Sequence, residues 1–233
     1  MDKTQILAEH HPYFEALKNA ATEDIIRFWS SGVSVYASSE TQRDIVGHAL
    51  ELGNEELLKL ALNHGYEIDY SANRFNVSPL MSAIRLQNER LVTLLLDHGA
   101  NLNHADRYGS TPYLLAVAVG NPNIIKLIKG RGAQTQMVDE RGEDDFIKAV
   151  TAGHFEYAEE LLKEGRDINR KDTSGSTVLI RCAKSGMPEH VKWLLDHGTD
   201  VNAKDVRKKT ALHYAETNKH EQIVELLRQH GAA

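Results

Sequence analysis

Seven glycines, Gly32, Gly65, Gly99, Gly132, Gly165, Gly198 and Gly231, divide this chain at intervals of 33 residues, with one interval of 34 between Gly65 and Gly99. The text around them recurs as well. LLLDHGANLN runs from Leu94 to Asn103, and LLDHGTDVN runs from Leu194 to Asn202. No other property of the chain constrains its fold as strongly, because a repeat of this length is one supersecondary element that hides its apolar face only against a copy of itself. The expected architecture is one elongated array of stacked units, a single domain over residues 1–233.

Composition fits this picture. A chain of 233 residues that is 41 % apolar can bury a sizeable core. Its net charge of −6, with both signs interspersed, points neither to nucleic acid nor to an anionic membrane surface. The opening MDKTQILAEHH has no apolar run of signal-peptide length, and no uninterrupted apolar stretch reaches the ~18 residues of a membrane span. A soluble, cytoplasmic protein is expected. The single cysteine, Cys182, excludes an internal disulfide and a thiolate metal cluster.

Within each period the residues fall in one order: a capping residue, a short apolar helix, a turn, a second apolar helix, and the marker glycine. The fourth period shows it in DRYGSTPYLLAVAVGNPNIIKLIKGRGA. Asp106 to Gly109 reads as a tight turn, Thr111 as an N-cap, and Pro112 as the first helical residue, where its missing N–H costs nothing. That helix is expected to span Pro112 to Val119 and end at Gly120, with Pro122 opening the next. Twelve residues beyond the marker glycines stand Asp44, Thr111, Asp144, Thr177 and Thr210, with Ser78 one later, all good N-cap types. Pro12, Pro79 and Pro112 open first helices, while Pro122 and Pro188 open second ones.

The sequence resembles the ankyrin repeat, whose pattern is D-x-x-G-x-T-P-L-H-x-A-A-x-x-G-H-x-x-V-V-x-x-L-L-x-x-G-A-x-x-N. DTSGSTVLIRCAKSGMPEHVKWLLDHGTDVN and DVRKKTALHYAETNKHEQIVELLRQHGA follow it closely. The resemblance implies an all-α fold, a solenoid of stacked helix-turn-helix units with short β-turn or hairpin loops. Its seven repeats would cover approximately residues 8–37, 38–71, 72–105, 106–138, 139–171, 172–204 and 205–233. The first two lack the D-x-x-G turn and the T-P-L-H start and are placed by spacing. Lys129 replaces the second leucine of the L-L pair, and the extra residue before Phe75 is expected to enlarge the loop between the second and third repeats. Leu91, Val92, Leu94 and Leu95, with Val191, Trp193, Leu194 and Leu195, are read as core. Glu216, Lys219, Glu221, Gln222, Glu225 and Arg228 are read as the wet outer side of the last repeat.

Candidate chemistry resolves into structure. His64, His98, His197 and His230 each precede a marker glycine and read as helix-end residues, without the close spacing of zinc ligands. His154 and His220 stand where the family pattern carries its own histidine, and His213 takes the H of T-P-L-H, so all three are read as structural. In GEDDF, Asp144 is an N-cap, and Glu143 and Asp145 sit near the positive helix end. Cys182 replaces an inward-facing alanine and reads as a buried, inert thiol. No catalytic, cofactor-binding or metal-binding residue is assigned, and the protein is not expected to be an enzyme.

What remains is surface. The resemblance implies a partner on the concave groove made of turn tips and exposed first-helix positions. Those positions carry nine basic residues (Lys18, Arg43, Arg74, Arg85, Arg107, Arg141, Lys184, Arg207, Lys209) and four acidic ones (Glu40, Glu51, Glu140, Glu143), about +5 in all. Phe75, Val77, Leu86, Tyr108 and Val119, with Arg74, Arg85, Arg107 and Arg141 around them, are the candidate protein-binding residues. A non-catalytic interaction module, a monomer that binds a protein with an acidic contact surface, is the expected function. A dedicated inhibitor or immunity-type protein that blocks an acidic enzyme is an alternative. A nucleic-acid binder is disfavoured by the net charge. Because stability in a stacked array sums over neighbours, amides of the two motif-poor repeats should exchange faster than those of repeats three to six. Hydrogen exchange followed by mass spectrometry checks this, and uniform protection would contradict it.

Overall fold

The computed structural model describes residues 11–19, 21–38, 44–71 and 73–233, which hold fourteen α-helices. The chain divides after Gln134 into two compact units. In the first, α1 (Pro12–Lys18) pairs with α2 (Thr22–Ser30), α3 (Ile45–Leu52) with α4 (Glu55–Asn63), α5 (Pro79–Arg85) with α6 (Glu89–Asp97), and α7 (Pro112–Val119) with α8 (Pro122–Gly130). In the second, α9 (Asp145–Thr151) pairs with α10 (Phe155–Lys163), α11 (Val178–Ser185) with α12 (Pro188–Asp196), and α13 (Ala211–Thr217) with α14 (Glu221–Gln229). First helices stack on first helices, α1 on α3 on α5 on α7 and α9 on α11 on α13. The class is the expected all-α repeat solenoid. None of the described helices is long and apolar enough to cross a membrane.

Local sequence explains each hairpin. The side chains of Asp44, Ser78, Thr111, Asp144, Thr177 and Thr210 all accept the backbone N–H three residues on, at 2.9 to 3.4 Å, as their N-cap assignments require. All five prolines stand at helix starts. His64, His98, His197 and His230 each place Nδ1 2.7 to 2.9 Å from the carbonyl four residues back, closing the second helix ahead of the left-handed glycine.

Between hairpins, one polar residue organises each of five described turns. Asn73, Asp106, Asp139, Asp172 and Asp205 accept the backbone N–H groups two and four residues on. The residue three on has positive φ. Glycine is required there at Gly142 and Gly175, where a Cβ would come 2.9 Å from the backbone nitrogens of Thr173 and Val206, whereas Asn76 and Lys208 take it at φ 55° and 59°. Asn73 precedes Asp106 by the ordinary 33 residues, so the turn that carries Phe75 is regular. The additional residue falls between Gly65 and Asn73, beside a cluster in which Tyr36 meets Tyr66 and Tyr70 at 4.9 and 4.6 Å. A second set of rungs comes from Asp69, Asn103, Asn169 and Asn202, whose side chains accept backbone N–H groups of Asn101, Gln134, Asp200 and Ala233.

The core lies between the stacked helices. Leu91, Val92, Leu95, Val191, Leu194 and Leu195 are buried as expected. Leu94 and Trp193 are a correction, since both are half-buried. Trp193 lies at the outer side of its helix, stacked on His197 at 4.0 Å and on Phe155 at 5.2 Å. Cys182 is fully buried, and that burial pushes its thiol up to about 12. Native protein should therefore resist a thiol reagent such as 5,5′-dithiobis(2-nitrobenzoate) at neutral pH, and react only on unfolding. Absorbance of the released thiolate reads this out directly.

The carboxylates of GEDDF do more than attend a helix end. Glu143 is buried and lies 2.6 Å from Lys148 and 2.5 Å from Arg181. Lys148 also reaches Asp139 at 2.6 Å, and Arg181 reaches Asp172 at 3.0 Å. Asp145 is held by both Nε and Nη2 of Arg166 at 2.9 Å. Glu143, mapped to the exposed groove from sequence, is 4 % exposed, which corrects that mapping. Burial opposes ionisation of Asp172, but bonds from the Ser174 hydroxyl, the Ser176 N–H and Arg181 outweigh it and hold the carboxyl below its ordinary range. A lowered folded pKa adds stability above the ordinary value, and this is lost as pH falls through the folded one. In Arg181→Met the acid limb of the stability profile should therefore begin at higher pH. At pH 7 the cost should be roughly 2 kcal/mol, less than the ~3–5 kcal/mol of a fully buried pair because the Arg181 side chain keeps 29 % exposure. Urea unfolding across pH 3 to 7 measures both.

Candidate protein-binding surface

The clearest grouping of predicted surface residues is built by two successive turns of the first unit. The Asn73 side-chain Oδ1 accepts Phe75 N–H and Val77 N–H at 3.1 Å each, and its Nδ2 donates to the Val77 backbone carbonyl at 3.0 Å. Asp106 organises the next turn alike, at 2.8 Å from Tyr108 N–H and 2.9 Å from Ser110 N–H. The turns are joined by Arg107 N–H, which donates to the Phe75 carbonyl at 2.8 Å. This fixes both tips and aims their side chains together. The rings of Phe75 and Tyr108 stack with centroids 6.2 Å apart at 28°, and the Arg74 guanidinium lies 4.7 Å from the Phe75 centroid. Phe75 is thereby half-buried, while Tyr108 remains 52 % exposed at the outer end of the stack.

Other predicted residues lie at first-helix ends. Arg85 closes α5 and is exposed, Leu86 caps it at 50 % exposure, and Val119 closes α7 half-buried. Val77 is half-buried beneath its own turn. Arg141 belongs to the second unit, where it is exposed on the turn of Asp139 and its carbonyl accepts Thr173 N–H at 2.9 Å. Among mapped groove positions, Glu40 and Arg43 lie outside the described residues. In the first unit the described ones leave Lys18, Arg74, Arg85 and Arg107 exposed against Glu51, and in the second Arg141, Lys184 and Arg207 against Glu140, with Lys209 partly exposed.

Sequence reasoning passed over two residues that the structure brings to the surface. Leu52 ends α3 at 53 % exposure, and Val206 sits at a turn tip of the second unit at 71 %. Nothing in the period distinguishes an apolar residue that folds inward from one that does not. Among the described residues, no group of three or more His, Cys, Asp or Glu side chains is arranged to hold a metal.

A family profile described as ankyrin repeats in three copies matches residues 46–139, 114–205 and 146–233. The chain belongs to the ankyrin-repeat family. Ankyrin repeats generally serve in protein–protein interaction and are typically non-catalytic. No curated protein matches the chain.

Proposed function

We propose that this ankyrin-repeat protein comprises seven repeats, one for each helix pair, and acts as a non-catalytic module that binds a partner protein with an acidic contact surface. The observation that carries the reading is the Arg74–Phe75–Tyr108 stack, with Leu86 exposed on the first-helix ends of the same unit. Rigid aromatic anchors beside arginines are the composition enriched at binding hot spots. Arg85 and Arg107 supply positive charge to steer an acidic partner. The mixed surface charge, the absence of a membrane-spanning helix among the described residues, and the inert thiol support a cytoplasmic binding protein. An inhibitor that blocks an acidic enzyme would use the same surface, and its signature is a tight one-to-one complex that abolishes the partner's activity.

The test is capture of the partner from the source cell, followed by titration with the purified pair. Tyr108→Ala removes an exposed ring and should leave the melting temperature nearly unchanged while weakening the complex at least about tenfold, ~1.4 kcal/mol. Arg107→Glu should weaken it further and slow association, with a steep dependence on salt. Normal binding by both variants, with loss in Glu159→Lys on a second helix, would transfer the function to the opposite face.

A further inference from the structure

Three apolar residues at first-helix ends of the first unit share one position. Leu52, Leu86 and Val119 stand at one position, the C-terminal end of the first helices α3, α5 and α7, each followed by a residue of positive φ: Gly53, Gln87 and Gly120. Leu52 and Leu86 are 53 % and 50 % exposed, and Val119 is half-buried. The fold does not demand apolar side chains there. In the second unit the same position holds Ala152, Ser185 and Asn218, all exposed, and at α1 it holds Asn19. A run of three bulky apolar side chains on three consecutive stacked helices, where the other described first helices carry alanine or a polar residue, is thus unexplained by folding. The aromatic turn tips Phe75 and Tyr108 belong to the same unit, and the equivalent tips of the second unit are Arg141, Ser174 and Arg207.

We infer that Leu52, Leu86 and Val119 form a ladder that receives an extended, acidic segment of the partner, with an apolar side chain at every third residue. This rests on the proposed function and narrows the partner's form. Packed helices lie 8–10 Å apart. A polyproline-type chain presents every third residue on one side, a step of about 9.3 Å, and so meets one rung per three residues. A helix would need seven residues and about 10.5 Å for each step, and falls out of register along the ladder. Arg74, Arg85 and Arg107 are exposed and form no ion pair among the described residues, and Glu51 is the only acid mapped to this surface that the first unit describes, so the intervening residues of the segment are acidic.

Two fluorescein-labelled peptides test it against the full chain by anisotropy at low salt. One consists of four Leu-Glu-Pro triplets, and the other is a helix-stabilised peptide of equal charge with leucines seven residues apart. Saturable binding of the triplet peptide is expected, at least tenfold tighter than the helical one. Leu86→Asp and Leu52→Asp should each weaken it at least tenfold while circular dichroism remains native, and Ser185→Asp should leave it unchanged. Should Leu86→Asp disturb folding, Leu86→Ala is expected to weaken binding with the fold retained. Tighter binding of the helical peptide, no saturable binding of the triplet peptide, or equal binding by the Leu86, Leu52 and Ser185 variants would overturn the ladder. The natural complex separates this failure from that of the broader reading. If Tyr108→Ala weakens it and Leu86→Asp does not, the ladder alone is lost, whereas indifference to both removes the turn-tip surface as well.

Discussion

Helices of seven to nine residues do not hold themselves together in water, because the first turn fixes several backbone angles for one hydrogen bond and the gain per added residue is small. Stacking of each pair on the next is therefore the interaction on which all else depends. It buries Leu80, Leu114, Phe146, Leu179 and their neighbours completely. Apolar contact alone would tolerate sliding. The spacing is set by polar rungs: the turn-head residues Asn73, Asp106, Asp139, Asp172 and Asp205 shape each tip, and backbone bonds such as Arg107 to Phe75 and Thr173 to Arg141 join one tip to the next. Asn103 and Asn202 repeat this at the other end of the hairpin by accepting N–H groups of the following segment.

Those rungs explain why so much of the fold was legible. N-caps, helix-opening prolines and left-handed glycines act through their own backbone neighbourhood, so Thr111, Pro112 and Gly120 announce their roles without knowledge of the rest. The glycine-free turns were harder to read. Asn76 and Lys208 stand where the pattern has glycine, and their left-handed conformation is imposed by the turn around them. Least legible were interactions between residues far apart in the chain. Tyr66 donates to Asp44 across 22 positions at 2.6 Å, and burial outweighs that bond to push the Asp44 carboxyl above its usual range. Of the candidate surface, the identities and exposure of Tyr108, Leu86 and the arginines followed from register. The stacking of Phe75 under Tyr108 did not, because side-chain direction at a turn tip depends on the adjacent tip.

Charge is used differently in the two units. Nine residues after the turn head, the second unit places Lys148, Arg181 and Tyr214, and each satisfies the outer oxygen of its turn aspartate. Arg181 reaches further, from α11 to Glu143 ahead of α9, so one cation ties two neighbouring turns. Buried ion pairs of this kind define which groups must face each other more than they add stability.

In the first unit the same position holds Ser82 and Leu115, and the turn head Asn73 is neutral. Lysine and arginine are thus absent from the place where the second unit commits them to its own fold. Arg74, Arg85 and Arg107 instead stand on tips and helix ends, where, among the described residues, the Arg74 guanidinium lies over the Phe75 ring and none of the three forms an ion pair. A guanidinium over an aromatic face keeps its hydrogen-bond donors directed outward, in a plane suited to a carboxylate. Their placement beside exposed Tyr108 and Leu86 gives the first unit a surface on which charge and apolar area are both exposed.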